Sequence, residues 1–268
     1  MSDATRQQRR REVREQVKLG TRVLTAGLAP EPKRDVTLAA ARVVANKLGE
    51  ADNPLRAHQA AEFAHRLCEA SLKTYPARLS IACGAGCAYC CYQYAAATAP
   101  EIFLLAHLVR TGRIAGRSTA DILAQAAPLI GLAPADRIGR RLPCPLLVDE
   151  RCSAYGQRPL VCRQATSLDV GSCREEFEGQ NLEARVEVSS IHLAHAGSAN
   201  VVLLGAILAN RLADESVELA AGLTTALQNS DCEARWLAGE RVFGGVSVAI
   251  PRPPDVDQIA RRIAEALA

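Results

Sequence analysis

A mainly α-helical fold with little β structure is predicted by three features of this 268-residue chain. Alanine is abundant while aromatic residues make up only 4% of the sequence, a balance that favours helices, because Ala has the best helix propensity and strands draw on aromatic and β-branched residues. Apolar residues recur at three- and four-residue spacing over several stretches, which gives each a single buried face. Helix start and stop signals bracket those stretches. A chain of this length holds a substantial core, in one large domain or two small ones.

Residues 1–34 read as a basic N-terminal arm and linker, with nine Lys/Arg against four Asp/Glu. Residues 3–24 have helical character with only a weak stripe of Val13, Val17 and Leu24, which fits a solvated face. The arm has no aromatic residue for stacking on bases, and this argues against nucleic acid as a partner. It also lacks the apolar run of a secretory signal. Gly27 to Lys33, with Pro30 and Pro32, reads as the linker.

Asp35 is the expected cap of a helix running to Leu48 and stopping at Gly49. Asn53-Pro54 opens the next, whose Leu55, Ala60, Phe63, Ala64, Leu67, Leu72 and Tyr75 are expected to form an inward face. Thr98-Ala-Pro-Glu101 and Ser118-Thr-Ala-Asp121 are capping boxes at the head of two further helices. Ser198–Ala213 and Ser216–Gln228 read as helices, Val242–Ile250 as the one strand candidate, and Asp255 to Ala268 as a short terminal helix. Residues 35–180 are thus expected to form helices plus a cysteine-rich metal-binding domain. Residues 181–268 are expected to form a helical region packed on the same core.

The chemistry lies in the ten cysteines. Cys83-Gly-Ala-Gly-Cys87-Ala-Tyr-Cys90-Cys91 places four sulfurs within nine residues, a density that packing does not require and metal binding does. Gly84 and Gly86 suit a loop that folds side chains back onto one point. Cys144, Cys152, Cys162 and Cys173 form a second set, whereas Cys68 and Cys232 stand alone and read as core packing. Neighbouring side chains diverge, so Cys90 and Cys91 are not expected to grip one ion; one of them should reach a second centre or meet the downstream sulfurs. Eight thiolates suffice for two four-sulfur sites or one site with spares.

All-sulfur ligation suits zinc or an iron–sulfur cluster and argues against calcium, magnesium and manganese. The compact x3–x2 spacing favours iron–sulfur. Excess thiolate charge calls for nearby cations, and Arg151, Arg158, Arg163 and Arg174 are interleaved with the second set. Arg158 and Arg163 are the chosen flanking cations.

The order Cys83-x3-Cys87-x2-Cys90-Cys91, then Pro143-Cys144-Pro145-Leu146-Leu147, then Cys152-Ser-Ala-Tyr155-Gly-Gln-Arg158-Pro159-Leu-Val-Cys162-Arg163 resembles the YkgJ-type cysteine-cluster family (CxxCxxCC), described as a zinc- or iron-chelating domain with eight cysteines. The first spacing departs from the family's x2. The resemblance covers roughly residues 80–175 and implies Cys83, Cys87, Cys90, Cys91, Cys144, Cys152, Cys162 and Cys173 as the metal ligands. Some members resemble flagellin lysine methylases, through which S-adenosylmethionine enters as a cofactor; no separate methyl-donor motif stands in this chain.

Cys-x3-Cys-x2-Cys is also the radical-S-adenosylmethionine signature, but that class sets the motif after a barrel strand, and here helices flank it. A thioredoxin-like Cys87-Ala-Tyr-Cys90 likewise lacks its βαβ unit. His192 and His195 offer a weaker ligand pair, and Ser167 and Asp169 could line the site.

The resulting expectation is a cytoplasmic metal-binding protein with an all-cysteine iron–sulfur or zinc centre. Whether it is an enzyme related to protein lysine methylases or a non-catalytic zinc-stapled scaffold that recruits a protein partner is left open. No membrane partner is expected: Val201–Ala209, the apolar part of the uncharged run 188–210, is too short for ~30 Å of hydrocarbon. A cysteine-dense chain without a signal is expected in a reducing compartment, with metal in place of disulfides.

Overall fold

The computed structural model of the protein describes residues 32–73, 81–84, 86–179, 186–245 and 252–268. The basic arm read over 1–24 lies outside them. Among the described residues there are eleven α-helices and two sheets of two strands each, so the fold is mainly α.

Helix α1 (Pro32–Leu48) begins inside the segment expected to be linker, three residues ahead of Asp35. A proline in the first turn costs nothing, since the N–H it lacks would have no intrahelical partner. Helix α2 (Arg56–Leu72) is led in by Asn53, whose Oδ1 accepts from Leu55 N–H at 3.0 Å. It buries Ala57, Ala60, Ala61, Ala64 and Cys68. After strand β1 (Ala96–Ala97), α3 (Ala99–Arg110) is buried on nearly every face.

Helix α4 (Thr119–Ala126) opens on its capping box, with Asp121 N–H donating to Ser118 Oγ at 3.2 Å and Ser118 N–H to Asp121 Oδ2 at 2.9 Å. Helix α5 (Pro134–Gly139), the hairpin of β2 (Leu147–Val148) and β3 (Arg151–Cys152), α6 (Leu160–Gln164) and α7 (Val170–Gly179) follow. The C-terminal half comprises α8 (Ser190–Ala209), β4 (Val217–Glu218), α9 (Leu219–Gln228), α10 (Cys232–Leu237) and α11 (Pro254–Leu267).

Helix α8 is the centre of the molecule and packs on α1, α2, α6 and α11. It starts eight residues before the expected Ser198, because Ser189 Oγ caps it by accepting from His192 N–H. Gly197 and Ser198 are carried within the helix. By length and composition α8 could cross a membrane, but most of it is buried inside this fold. At Gly205 a Cβ would stand 2.5 Å from Ile263 Cγ2, so α8 and α11 cross where only a hydrogen fits.

Helix α9 packs on α3 and α4. Its leading strand β4 pairs antiparallel with β1, Ala96 opposite Glu218. One continuous apolar cluster runs from Ala41 on α1 to Ile263 on α11. Of the strand expected over Val242–Ile250, residues 242–245 form a turn closed by Gly244 N–H on Arg241 O, and 246–250 lie outside the described residues. The Gly-Gly pair favours a reversal there.

Candidate metal centre

The early cysteine segment enters extended and reverses at once. Ala82 N–H donates to Ser167 O at 2.9 Å, and Ser167 N–H donates to Cys83 Sγ at 3.0 Å. Gly86, at φ +93°, takes a left-handed conformation while Cys87 N–H bonds back to Gly84 O. This is the turn that the two glycines predict. Cys90 and Cys91 then lie in a single 3-10 turn, Tyr89–Tyr92. Tyr89 and Tyr92 close on Phe177 of α7, with ring centroids 5.6 and 4.8 Å away, which brings in the helix bearing Cys173.

The late segment is tied to the early one by the backbone: Cys144 N–H donates to Cys91 O at 2.7 Å. Strands β2 and β3 place Cys152 opposite Leu147 around Asp149 and Glu150, both at positive φ. Two left-handed residues give the twist that a two-residue hairpin needs. Without Asn-Gly or Asp-Gly the sequence carried no sign of this hairpin.

Cys162 rides on α6, whose first N–H groups have no partner inside so short a helix. Leu160 N–H donates instead to Glu101 Oε1 at 2.7 Å. Glu101 is only 2% exposed. Its other oxygen accepts from Thr98 N–H and Oγ1–H, and His65 Nε2 stands 3.2 Å from Oε1. Burial alone would raise the Glu101 pKa, but the bonds to His65, Leu160 and Thr98 prevail and hold it below the usual carboxylate range. The capping box read from the sequence therefore also anchors the second cysteine segment.

Six of the eight predicted ligands, Cys87, Cys90, Cys91, Cys144, Cys152 and Cys162, wall one cavity of about 110 Å³. Cys83 and Cys173 stand beside it, linked through Ser167 and close enough to Cys87 for their charges to raise its pKa. Cys91 feels Cys144 and Cys152 in the same way, and Cys162 feels Cys144, Cys90 and Cys152. Cys90 acts on Cys87 and Cys173 as well as on Cys152 and Cys162, so the doublet stands where the early and late sulfurs meet.

The interaction of the two doublet thiols draws Cys90 down to about 7 and, with burial, pushes Cys91 up. Burial raises Cys144 to about 12 and lifts Cys162 well above the usual thiol value. Among the described residues no three His, Cys, Asp or Glu side chains are gathered tightly enough to clasp one ion. The thiols surround a space.

Arg158 lines the cavity, stacks 4.3 Å over Tyr155, and lowers Cys90, Cys152 and Cys162 electrostatically. Arg163 does not line it. Arg163 is buried and clamps the preceding turn, donating to Arg158 O, Gly156 O and Glu69 Oε1 at 2.9, 2.7 and 2.8 Å. Arg151 is exposed, and Arg174 is exposed against Tyr89 Oη.

Sequence reasoning missed Arg137, which lines the cavity from α5 and pairs with Glu218 at 2.8 Å. It stands seven residues before Cys144, with no neighbouring cysteine to draw notice. Cys68 and Cys232 are buried away from the cavity, and His192 bonds Ser189 Oγ at 2.9 Å.

Residues 82–184 match the sequence model of the CxxCxxCC family, described as a candidate zinc- or iron-chelating domain. This is the family that the cysteine order resembles, and the segment holds all eight of those cysteines. No curated protein and no solved structure matches the chain.

Proposed function

We propose that this protein holds a polynuclear, all-thiolate metal centre, an iron–sulfur cluster in preference to zinc, in the cavity where its two cysteine segments meet. The ligands are drawn from Cys83, Cys87, Cys90 and Cys173 on one side of the doublet and from Cys91, Cys144, Cys152 and Cys162 on the other. The match to a chelating domain supports metal binding as such. The observation that carries the finer reading is the cavity of about 110 Å³ walled by six cysteines.

Four sulfurs closing on a single zinc at ~2.3 Å leave no space between them, whereas a cluster brings iron and sulfide of its own to fill such a room. The donor set fits: thiolate is the ligand these metals favour, and Arg158 supplies positive charge on the wall. Raised thiol pKa values mean that metal must displace protons from Cys144, Cys152 and Cys162 as it binds. When bound, a cluster would supply one-electron redox chemistry. The protein's own part is to fix the sulfurs, exclude water and balance charge. Its expected setting is the cytoplasm, where thiols stay reduced.

The test is metal and sulfide quantitation with an absorption spectrum on anaerobically purified protein. Iron, acid-labile sulfide and a band near ~400 nm are expected. Stoichiometric zinc with no such band overturns the cluster but keeps a metal centre. Well under one equivalent of either metal overturns the centre itself.

A further inference from the structure

Resting on that metal-centre reading, we infer that Arg137 is a binding-site residue of the centre, donating hydrogen bonds from Nε and Nη2 to its sulfur anions while Glu218 holds the guanidinium in place.

Arg137 is 1% exposed and lies on the wall of the cysteine cavity. Its Nη1 bonds Glu218 Oε1 at 2.8 Å. Neither Nε nor Nη2 has a hydrogen-bond partner among the described residues. A guanidinium carries five N–H donors and no acceptor, and leaving buried donors unpaired costs more than the single ion pair returns. Such a side chain is stable where an anion completes its fork. The acidic groups that crowd this wall are six cysteine thiols, Cys144 among them.

Glu218 meets the guanidinium through Nη1 alone. Its Oε2 is committed to Ala221 N–H at 2.8 Å, capping α9. The pair is therefore neutral as a unit but oriented. Its carboxylate lies at the α9 terminus and its unpaired donors remain for the centre. Arg158, whose Nε is likewise buried without a partner, differs in degree: it is partly exposed and stacked on Tyr155. Hydrogen bonds to the sulfurs are one of the means by which a protein sets cluster stability and potential, and Arg137 is the fully buried cation on this wall.

The experiment compares the full chain with two variants, each purified anaerobically. Arg137→Gln/Glu218→Gln removes both charges together, so no lone carboxylate is buried. Arg137→Lys keeps an ion pair but loses the planar fork. Helicity and melting temperature show whether each folds. The readouts are the rate of metal loss to excess chelator and, for iron, the midpoint potential.

Metal loss about 10–100-fold faster in both variants is expected, with the iron potential shifted negative because the reduced, more anionic state loses its donors. Should the double variant fail to fold, the lysine variant decides alone. Wild-type protein that retains metal, beside a folded variant that releases it at the same rate and potential, overturns the role of Arg137 only. Wild-type protein without metal overturns both this role and the reading beneath it.

Discussion

The helical body and the sulfur-bearing side are held together by different means. α1, α2, α3, α8, α9 and α11 bury Ala, Leu, Ile and Val in one cluster, and non-directional burial of that kind needs only periodicity and volume. Residues 81–84, 86–97 and 143–173 have turns, short helices and two-residue strands. They are pinned by a few directional bonds: Glu101 to Leu160, Cys144 to Cys91, Ser167 to Cys83 and Arg163 to the turn at 156–158. The difference teaches that the body is held by many interchangeable apolar contacts, whereas the sulfur side rests on a few bonds, and the proposed centre would add to them.

Removing the metal should break this comparison most sharply. Treating the loaded protein with a chelator is expected to speed amide exchange across 81–97 and 143–173 by about a hundred-fold or more, since a structural metal contributes on the order of 10 kcal/mol to the fold it closes. Residues 194–209 should stay protected. Equal loss of protection in both regions would remove the distinction.

Glu101 joins the two regions, so Glu101→Ala should cost about 3 kcal/mol in urea denaturation, because it strands His65 and the first N–H of α6. Its acidity gives the same test a sign. The folded pKa is depressed, so its contribution is complete above the ordinary carboxylate value and disappears as pH falls through the lower folded value. Wild-type melting temperature should drop more than that of Glu101→Gln between about pH 7 and pH 3. Parallel curves would show that the carboxylate is not ionised in the fold.

Within the body, Gly205→Ala forces a methyl against Ile263 and should cost about 2 kcal/mol. Bound metal per folded chain should not change; a loss of metal at unchanged helicity would show that the α8–α11 crossing reaches the centre. The smallest effect is expected at an exposed helix cap. Ser118→Ala removes the α4 cap and should cost about 1 kcal/mol, with chelator release rates unaltered.

Much of the body was legible because its signals are local. Both capping boxes head the helices they predict, whereas the face of α2 turns toward its small residues: Ala60 and Ala64 are buried as expected, together with Ala57, Ala61 and Cys68, while Leu55 is exposed and Phe63, Leu67 and Leu72 are half-buried. Tyr75 lies outside the described residues. The errors arose where tertiary contacts prevailed. Burial carried Gly197 and Ser198 into α8, and strand pairing took Val217 and Glu218 out of the helix expected from Ser216. At the site, the cysteine pattern brought attention to the right side chains. Arg163 looked equivalent to Arg158 in sequence, yet it faces backbone carbonyls. Only three-dimensional placement separates two arginines five residues apart on a short helix and the turn before it.

By itself the sequence determined the helical class and the eight candidate ligands, since propensity, capping and cysteine spacing act within a few residues of each other. Only the tertiary structure decided that the early and late cysteines share one cavity, that Glu101 anchors α6, and that Arg137 lines that cavity beside Glu218, 81 residues further along the chain. Those contacts join groups far apart in sequence, and the chain brings them together only when the apolar faces of its helices are buried.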